Sequence, residues 1–353
     1  MTIPDECPRY RARLFLSVDL CNSTSFKSSR QPHEWVSVFR DFYSEFSDKY
    51  RQKHLVVVES SGAGLENLRS NKPKLWKTVG DEIIFANRVD SCFEVYVFVK
   101  AFVDALHEYG KSLREDDNRK SLGVKGNGWI CSFPYPNIAI NIPSGETTAS
   151  SDLGNTEALE LSADENPHLH EFLGKGLDYG FRISQNSSED FFSISPALAN
   201  ILARARVNED YKQLSVGISI RNPVKLKGVL DGRDYPVIGI PIDKDSDWSR
   251  LRGLQEKLLG GDQSNDQDLR DYFRTFIDLH QIEEPKLRVR PGDDEPDPPN
   301  FYLEEFVPNW RGAAKEVQDQ TDFMKDAAGE DDGEEADQTA VDRIIGKIKK
   351  KGG

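Results

Sequence analysis

Two aspartates stand where a carboxylate can meet a phosphate. Asp19 ends the apolar run Phe15-Leu16-Ser17-Val18 and precedes the polar turn Cys21-Asn22-Ser23-Thr24. A carboxylate at the end of a buried strand can bind a hard cation. The free N–H groups at the start of the next helix, here Asn22, Ser23 and Thr24, can bind phosphate oxygens. Asp81 follows Val79-Gly80 and precedes Glu82-Ile83-Ile84-Phe85, the layout of a hairpin tip. Read singly, Asp19 is a helix cap and Asp81 a solvated turn residue. On adjacent strands the two can share a pair of Mg²⁺ or Mn²⁺ ions, because Mg²⁺ takes one or two carboxylates plus substrate phosphates rather than a full protein cage. One such ion lowers the pKa of a substrate hydroxyl, and the other neutralises charge on a triphosphate.

The elements that must position these groups follow from periodicity. Residues 13–18 read as a buried strand. Trp35, Phe39, Phe42, Tyr43, Phe46 and Tyr50 recur at helical spacing. Residues 74–78 and 82–86 form the arms of the hairpin, 91–113 a second long helix, and 124–131 and 138–142 further strands. Residues 144–168 are rich in Ser, Thr, Gly and Asp and predict a long exposed arm, with His168 and His170 in solvent. A helix is predicted over 174–188, a strand over 191–194, and a capped helix from Ser195-Pro196. Residues 216–220, 224–227 and 235–240 complete the strands.

Strands mixed with helices and hairpins predict an α+β fold, one sheet covered by helices. Its boundary is expected near Asp243. Residues 244–290 predict a helical extension. Residues 291–353 predict a linker (PGDDEPDPPN) and an acidic, partly disordered tail, with a lysine-bearing end over 341–351.

Composition narrows the classes. A net charge of −14 argues against a nucleic-acid partner. No apolar run is long enough to span a bilayer, and the N-terminus lacks the layout of a signal peptide, so no membrane partner and a cytoplasmic location are expected. The four cysteines lack CxxC spacing and read as isolated thiols. The six histidines show no HxxxH or HExxH spacing, and Gly62 and Gly64 are not followed by the Lys-Ser or Lys-Thr of a P-loop.

VDLCNST with KTVGDEIIF resembles the two metal motifs of the class III adenylate and guanylate cyclase family. FLGKGLDYGFRI (172–183) and VKLKG (224–228) resemble that family's later motifs, in the same order. The resemblance spans about residues 11–241. Within the family, the LDYGFRIS form and the acidic tail look most like the pyrimidine cyclases of the Pycsar anti-phage system. The resemblance implies a ferredoxin-like βαββαβ core and a homodimer with sites at its interface. It makes Asp19 and Asp81 metal ligands, with the Leu20 carbonyl as a backbone ligand. Lys77 and Glu171 fall at base-reading positions, Asp178 and Arg182 at transition-state positions, and Lys227 where the terminal phosphates bind. Tyr50 and Phe15, with Phe26, are candidates to flank the nucleotide, against the alternative of core packing.

Two departures from the family pattern matter. Asp178 stands for an asparagine and, when ionised, cannot donate as an amide does; holding Arg182 or orienting the ribose are the roles left to it. Glu171 is one methylene longer than the usual aspartate and re-aims the base pocket, in keeping with a smaller ring. Elementary chemistry supports the cationic roles independently, because cyclisation displaces pyrophosphate and Arg182 and Lys227 suit the charge that builds there. UTP is favoured as substrate, since uracil carbonyls accept from a lysine. CTP, a purine triphosphate, and an inactive nucleotide-binding module are the alternatives.

Overall fold

A computed structural model describes residues 6–61, 66–142, 156–242 and 266–329, with 247, 250, 251 and 254 between the last two stretches. The first half runs β1 (Arg11–Cys21), α1 (Ser23–Ser28), α2 (Pro32–Ser60), α3 (Glu66–Ser70), β2 (Leu75–Val79), β3 (Glu82–Val89), α4 (Cys92–Glu115), β4 (Gly123–Phe133) and β5 (Ile138–Asn141). The second half runs α5 (Glu157–Glu165), β6 (His170–Leu173), α6 (Lys175–Ile183), β7 (Phe191–Ile194), α7 (Pro196–Val207), β8 (Ser219–Lys225), β9 (Asp234–Pro241), α8 (Asp266–His280) and α9 (Val307–Gly329).

Side chains alternate across a strand, and β1 uses both of its faces. Its even positions, Ala12, Leu14, Leu16, Val18 and Leu20, enter the main apolar core. Its odd positions are Arg11, Arg13, Phe15, Ser17 and Asp19, and of these Phe15 joins a second, largely aromatic core. The strand order is β2-β3-β1-β4-β7-β9-β8. All neighbours are antiparallel except β4 and β7. With α2 and α4, the first four strands form the expected ferredoxin-like βαββαβ unit, set beside three further strands. The α+β arrangement of a sheet covered by helices therefore holds.

The main core is helical on its outer side. Phe42, Phe46 and Tyr50 of α2 meet Phe98 and Phe102 of α4 above the even residues of β1. Helix α4 starts sharply because Ser91 accepts from the Glu94 N–H while Glu94 accepts from the Ser91 N–H. Helix α8 adds Leu269 and Phe273 to the same core. Among the described residues no helix is long and apolar enough to cross a membrane.

Two expectations need correction. Part of the predicted exposed arm is helix α5, whose Glu160 and Asp164 are buried. They are held by the odd-face arginines of β1: Arg13 pairs with Glu160 at 2.6 Å and with Asp164 at 2.5 Å, and Arg11 reaches Asp164 at 2.6 Å. His170 is likewise buried, on β6, with its Nε2 3.0 Å from the Ser162 hydroxyl. Polar composition misled because the arginines that hold Glu160 and Asp164 lie about 150 residues away in the chain. Residues 143–155 of the arm lie outside the described residues.

The second correction concerns β8, where two predicted strands are one strand interrupted by a bulge between Arg221 and Val224. Within the expected linker and tail, residues 302–306 form a π-helix leading into α9, and Tyr302, Val307 and Trp310 pack with Cys7. The expected boundary at Asp243, the acidic run 330–337 and the segment 341–351 lie outside the described residues. All four cysteines are free, three of them buried.

Candidate active site

The odd face of β1 delivers Asp19 to the sheet edge opposite Glu82 of β3 and Lys125 of β4. The Lys125 ammonium lies 3.3 Å from the Asp19 carboxylate. Asp81 sits at the β2–β3 turn, where Gly80 takes φ 64°, a value glycine adopts without strain. The turn is tied to its surroundings at three points. The Leu20 N–H donates to the Asp81 carbonyl at 3.2 Å, the Ser23 hydroxyl donates to the Asp81 carboxylate, and the Tyr43 hydroxyl donates to the Gly80 carbonyl. The Ser17 hydroxyl holds Glu82 in the same way.

Lys125 thus pairs with Asp19 and also acts on Glu82, while Asp81 is held by Ser23. Burial pushes the Asp19 carboxyl above its ordinary range and Asp81 adds to this, while Lys125 opposes it. Burial likewise raises Glu82, with Asp19 and Asp81 adding to it and the Ser17 hydrogen bond and Lys125 opposing. Crowded, desolvated carboxylates in excess of cations are relieved by a divalent ion, so these residues fit one. Among the described residues no group of three or more His, Cys, Asp or Glu side chains is placed to hold a metal ion.

Helix α1 is only six residues long. Asn22 takes a left-handed conformation and gives its side-chain amide to the Ser121 carbonyl at 3.2 Å; Ser23 is committed to Asp81, and Thr24 is exposed.

The two base-reading candidates are in contact. Lys77 of β2 forms an ion pair with Glu171 of β6. Its ammonium lies 4.0 Å from the Trp76 ring and 5.9 Å from that of Phe181. Trp76 is fixed in turn by donating its Nε1–H to the His170 carbonyl at 3.0 Å.

Helix α6 carries Asp178 and Arg182 one turn apart, on the side away from its buried Leu177, Gly180 and Ile183. Gly180 lets the helix press on β4: a Cβ there would lie 2.2 Å from the Trp129 ring. The Asn127 amide also donates to the Gly180 carbonyl at 3.2 Å. The Arg182 guanidinium packs on Gly228, where a Cβ would approach it to 2.8 Å, so the helix meets the Lys227-Gly228 turn. Lys227 and Asp178 are exposed. Asp178 forms no ion pair with Arg182 among the described residues. Beyond α6, Ser184 and Ser187 approach Asp19, Glu82 and Lys125 around a cavity of about 50 Å³.

Tyr50 and Phe15 do not face a nucleotide. Tyr50 is 0% exposed, edge-on to Phe85 and Phe102, with its hydroxyl 3.5 Å from the Phe98 carbonyl. Phe15, also fully buried, stacks on Trp129 at 5.3 Å. Phe26 belongs to the main core. Core packing, the alternative reading, is what all three do. Lys125, Glu82, Ser17 and Asn127 went unread in the sequence as site residues. Strand register alone places Glu82 and Lys125 opposite Asp19 and Asn127 opposite Ser17, and only the Glu82 carboxylate next to Asp81 gave a local signal.

No known family profile matches the chain, and no curated protein matches it by sequence. Among solved structures, the guanylate cyclase domain of RhGC from Catenaria anguillulae, in complex with GTP, aligns at 10% identity and TM-score 0.43. That alignment covers 67% of this chain and 100% of that domain. The adenylyl cyclase CyaB from P. aeruginosa aligns at 12% identity and TM-score 0.43, covering 68% of this chain and 97% of that one. The guanylyl cyclase domain of the RhoGC fusion protein from the aquatic fungus Blastocladiella emersonii aligns at 10% identity and TM-score 0.41, covering 66% and 97%.

Proposed function

We propose that this chain is a nucleotide cyclase that converts a nucleoside triphosphate to its 3′,5′-cyclic monophosphate and pyrophosphate. The observation that carries the reading is the joining of the Asp19 strand end to the Asp81 turn, where the half-buried Asp19 carboxyl has Lys125 as its cation. A pair of Mg²⁺ or Mn²⁺ ions held by Asp19, Asp81 and the Leu20 carbonyl would supply hydroxyl activation and charge neutralisation. In the reaction the substrate 3′-oxygen loses its proton to solvent and bonds to the α-phosphorus. The bond from that phosphorus to the bridging oxygen breaks, and pyrophosphate leaves with the electron pair. Arg182 and Lys227 donate to the oxygens on which charge builds. Asp178 orients the ribose.

The homodimer is part of this reading. One protomer gives Asp19 and Asp81, its partner gives Asp178 and Arg182, and a two-fold axis makes two equal sites.

UTP is the proposed substrate. Lys77 and Glu171 form a donor and an acceptor side by side, matching a uracil carbonyl and the adjacent ring N–H, with Trp76 and Phe181 close by. On this reading the chain resembles PycC, and its product is a cyclic UMP signal in anti-phage defence inside the cytoplasm. The test incubates pure protein with Mn²⁺ and UTP, CTP, ATP or GTP separately and identifies products by mass. Cyclic UMP with pyrophosphate is expected. Bound nucleotide without pyrophosphate release from any of the four would overturn the cyclase reading in favour of a binding module.

A further inference from the structure

Of the three carboxylates at the β1–β3 edge, Asp19 alone pairs with a cation among the described residues. The Ser23 hydroxyl holds Asp81 and the Ser17 hydroxyl holds Glu82, whereas Asp19 takes the Lys125 ammonium at 3.3 Å. Strand register fixes that choice. Asp19 of β1 stands between Glu82 of β3 and Lys125 of β4, so the lysine meets the aspartate directly across the ladder. Among the described residues Asp19 is the one ion-pair partner of Lys125.

The pair is only partly covered. The side chains of Asp19 and Lys125 are 30% and 32% exposed, so neither is locked into the interior. The cavity of about 50 Å³ beside them is lined by Glu82, Asn127, Ser184 and Ser187, polar residues among which an ammonium can be placed. The contact itself is made to Oδ2 of the carboxylate on which the metal reading depends. A divalent ion on the same carboxylate would stand beside a positive charge. Even with the full screening of water, a unit charge about 5 Å from a divalent ion weakens its binding about tenfold.

We propose that Lys125 is an internal stand-in for the metal: its ammonium neutralises Asp19 in the metal-free protein and gives up the carboxylate when a divalent ion binds. The lysine thereby sets a threshold ion concentration for the site, and it acts through Asp19 as a positioning residue. The proposal rests on the metal role that the cyclase reading gives to Asp19.

The test measures binding of Mn²⁺ alone, without nucleotide, to the full chain, from the electron paramagnetic resonance signal of the free ion. Lys125→Met keeps most of the stem and removes the charge. It is expected to bind Mn²⁺ about tenfold or more tightly than the unaltered protein, and Asp19→Asn in the same background should abolish that binding. Lys120→Met removes the same charge from an exposed position, where the lysine pairs with Asp117, and should leave the affinity unchanged. Melting gives a second readout: at one fixed Mn²⁺ concentration, Lys125→Met should gain more in melting temperature than the unaltered protein does. Lys125→Gln takes its place if the Met variant does not fold. An unchanged or weaker Mn²⁺ affinity without the lysine charge, an equal gain in Lys120→Met, or no Mn²⁺ binding by any of these proteins would each overturn the proposal. The cyclase reading fails on a different result, the absence of cyclic product from every triphosphate. Tighter Mn²⁺ binding without product would therefore uphold the role of Lys125 and remove the reaction.

Discussion

The Leu20 N–H reaches across to the Asp81 carbonyl, 3.2 Å away. The strand end that carries Asp19 and the turn that carries Asp81 are therefore one rigid piece. Removing either carboxylate should leave that backbone link intact. Asp19→Asn or Asp81→Ala is expected to lower kcat by more than about a hundredfold with unchanged KM-independent fold markers, such as far-UV circular dichroism. Asp19→Asn should not lower the melting temperature of the metal-free protein, because desolvation, with Asp81 adding to it, disfavours the ionised carboxylate by more than Lys125 favours it. Turnover near wild type in both variants would remove these residues from the chemistry.

Base choice is expected to depend on Lys77 and Glu171 as a pair. Glu171→Gln and Lys77→Met should each reduce the ratio of kcat/KM for UTP over the other triphosphates by about tenfold or more. Competition assays with mixed nucleotides read this ratio directly. A uniform loss across all four bases would make the pair structural.

Gly180 sets the position of α6. Gly180→Ala drives a methyl into the Trp129 ring and is expected to cost about 1–3 kcal/mol of stability. Because α6 must move, kcat should fall by more than the loss of folded protein explains. Urea denaturation and turnover on the same preparation separate the two effects.

The buried charges beside α5 are a stability feature. Arg13→Ala strands Glu160 in the interior, leaves Asp164 to Arg11, and is expected to cost about 3–5 kcal/mol, measured by denaturant unfolding. Arg13→Ala with Glu160→Gln and Asp164→Asn should recover part of that loss.

His54 gives the fold a pH dependence. Burial against Phe98 lowers its pKa to about 4, from an ordinary 6.5. A lowered folded value means that the unfolded chain binds the proton first. Stability is then fully present above about pH 6.5 and lost as pH falls toward 4, by at most about 3 kcal/mol. His54→Phe should flatten the melting temperature over that window. A slope identical to wild type would assign the effect to other groups.

The first half of the fold was legible in the sequence because its signals are local. The apolar run into Asp19, the aromatic stripe of α2 and the Gly80-Asp81 turn each state their element within a few residues. Helix α5 was not legible, because its acidic face is neutralised by Arg11 and Arg13 from the far end of the chain. Lys125 was not legible either, since nothing in Val124-Lys125-Gly126 says which strand it will face. Tyr50 shows the opposite limit: a polar tip on a ring suggested a ligand, but the ring packs into a site of its own.

The alternation of β1 has one further consequence. Sliding this strand by one residue against its neighbours would carry Asp19, Arg13 and Arg11 into the main core and turn Leu14, Leu16 and Val18 toward the acidic residues of α5. Each misplaced charge would be stranded in apolar surroundings, so every mispaired alignment is penalised by the same residues that equip the correct one. The ionic side chains of β1 thus act as an error check on its own pairing, and the chain cannot alter its charged face without also loosening the rule that aligns its central strand.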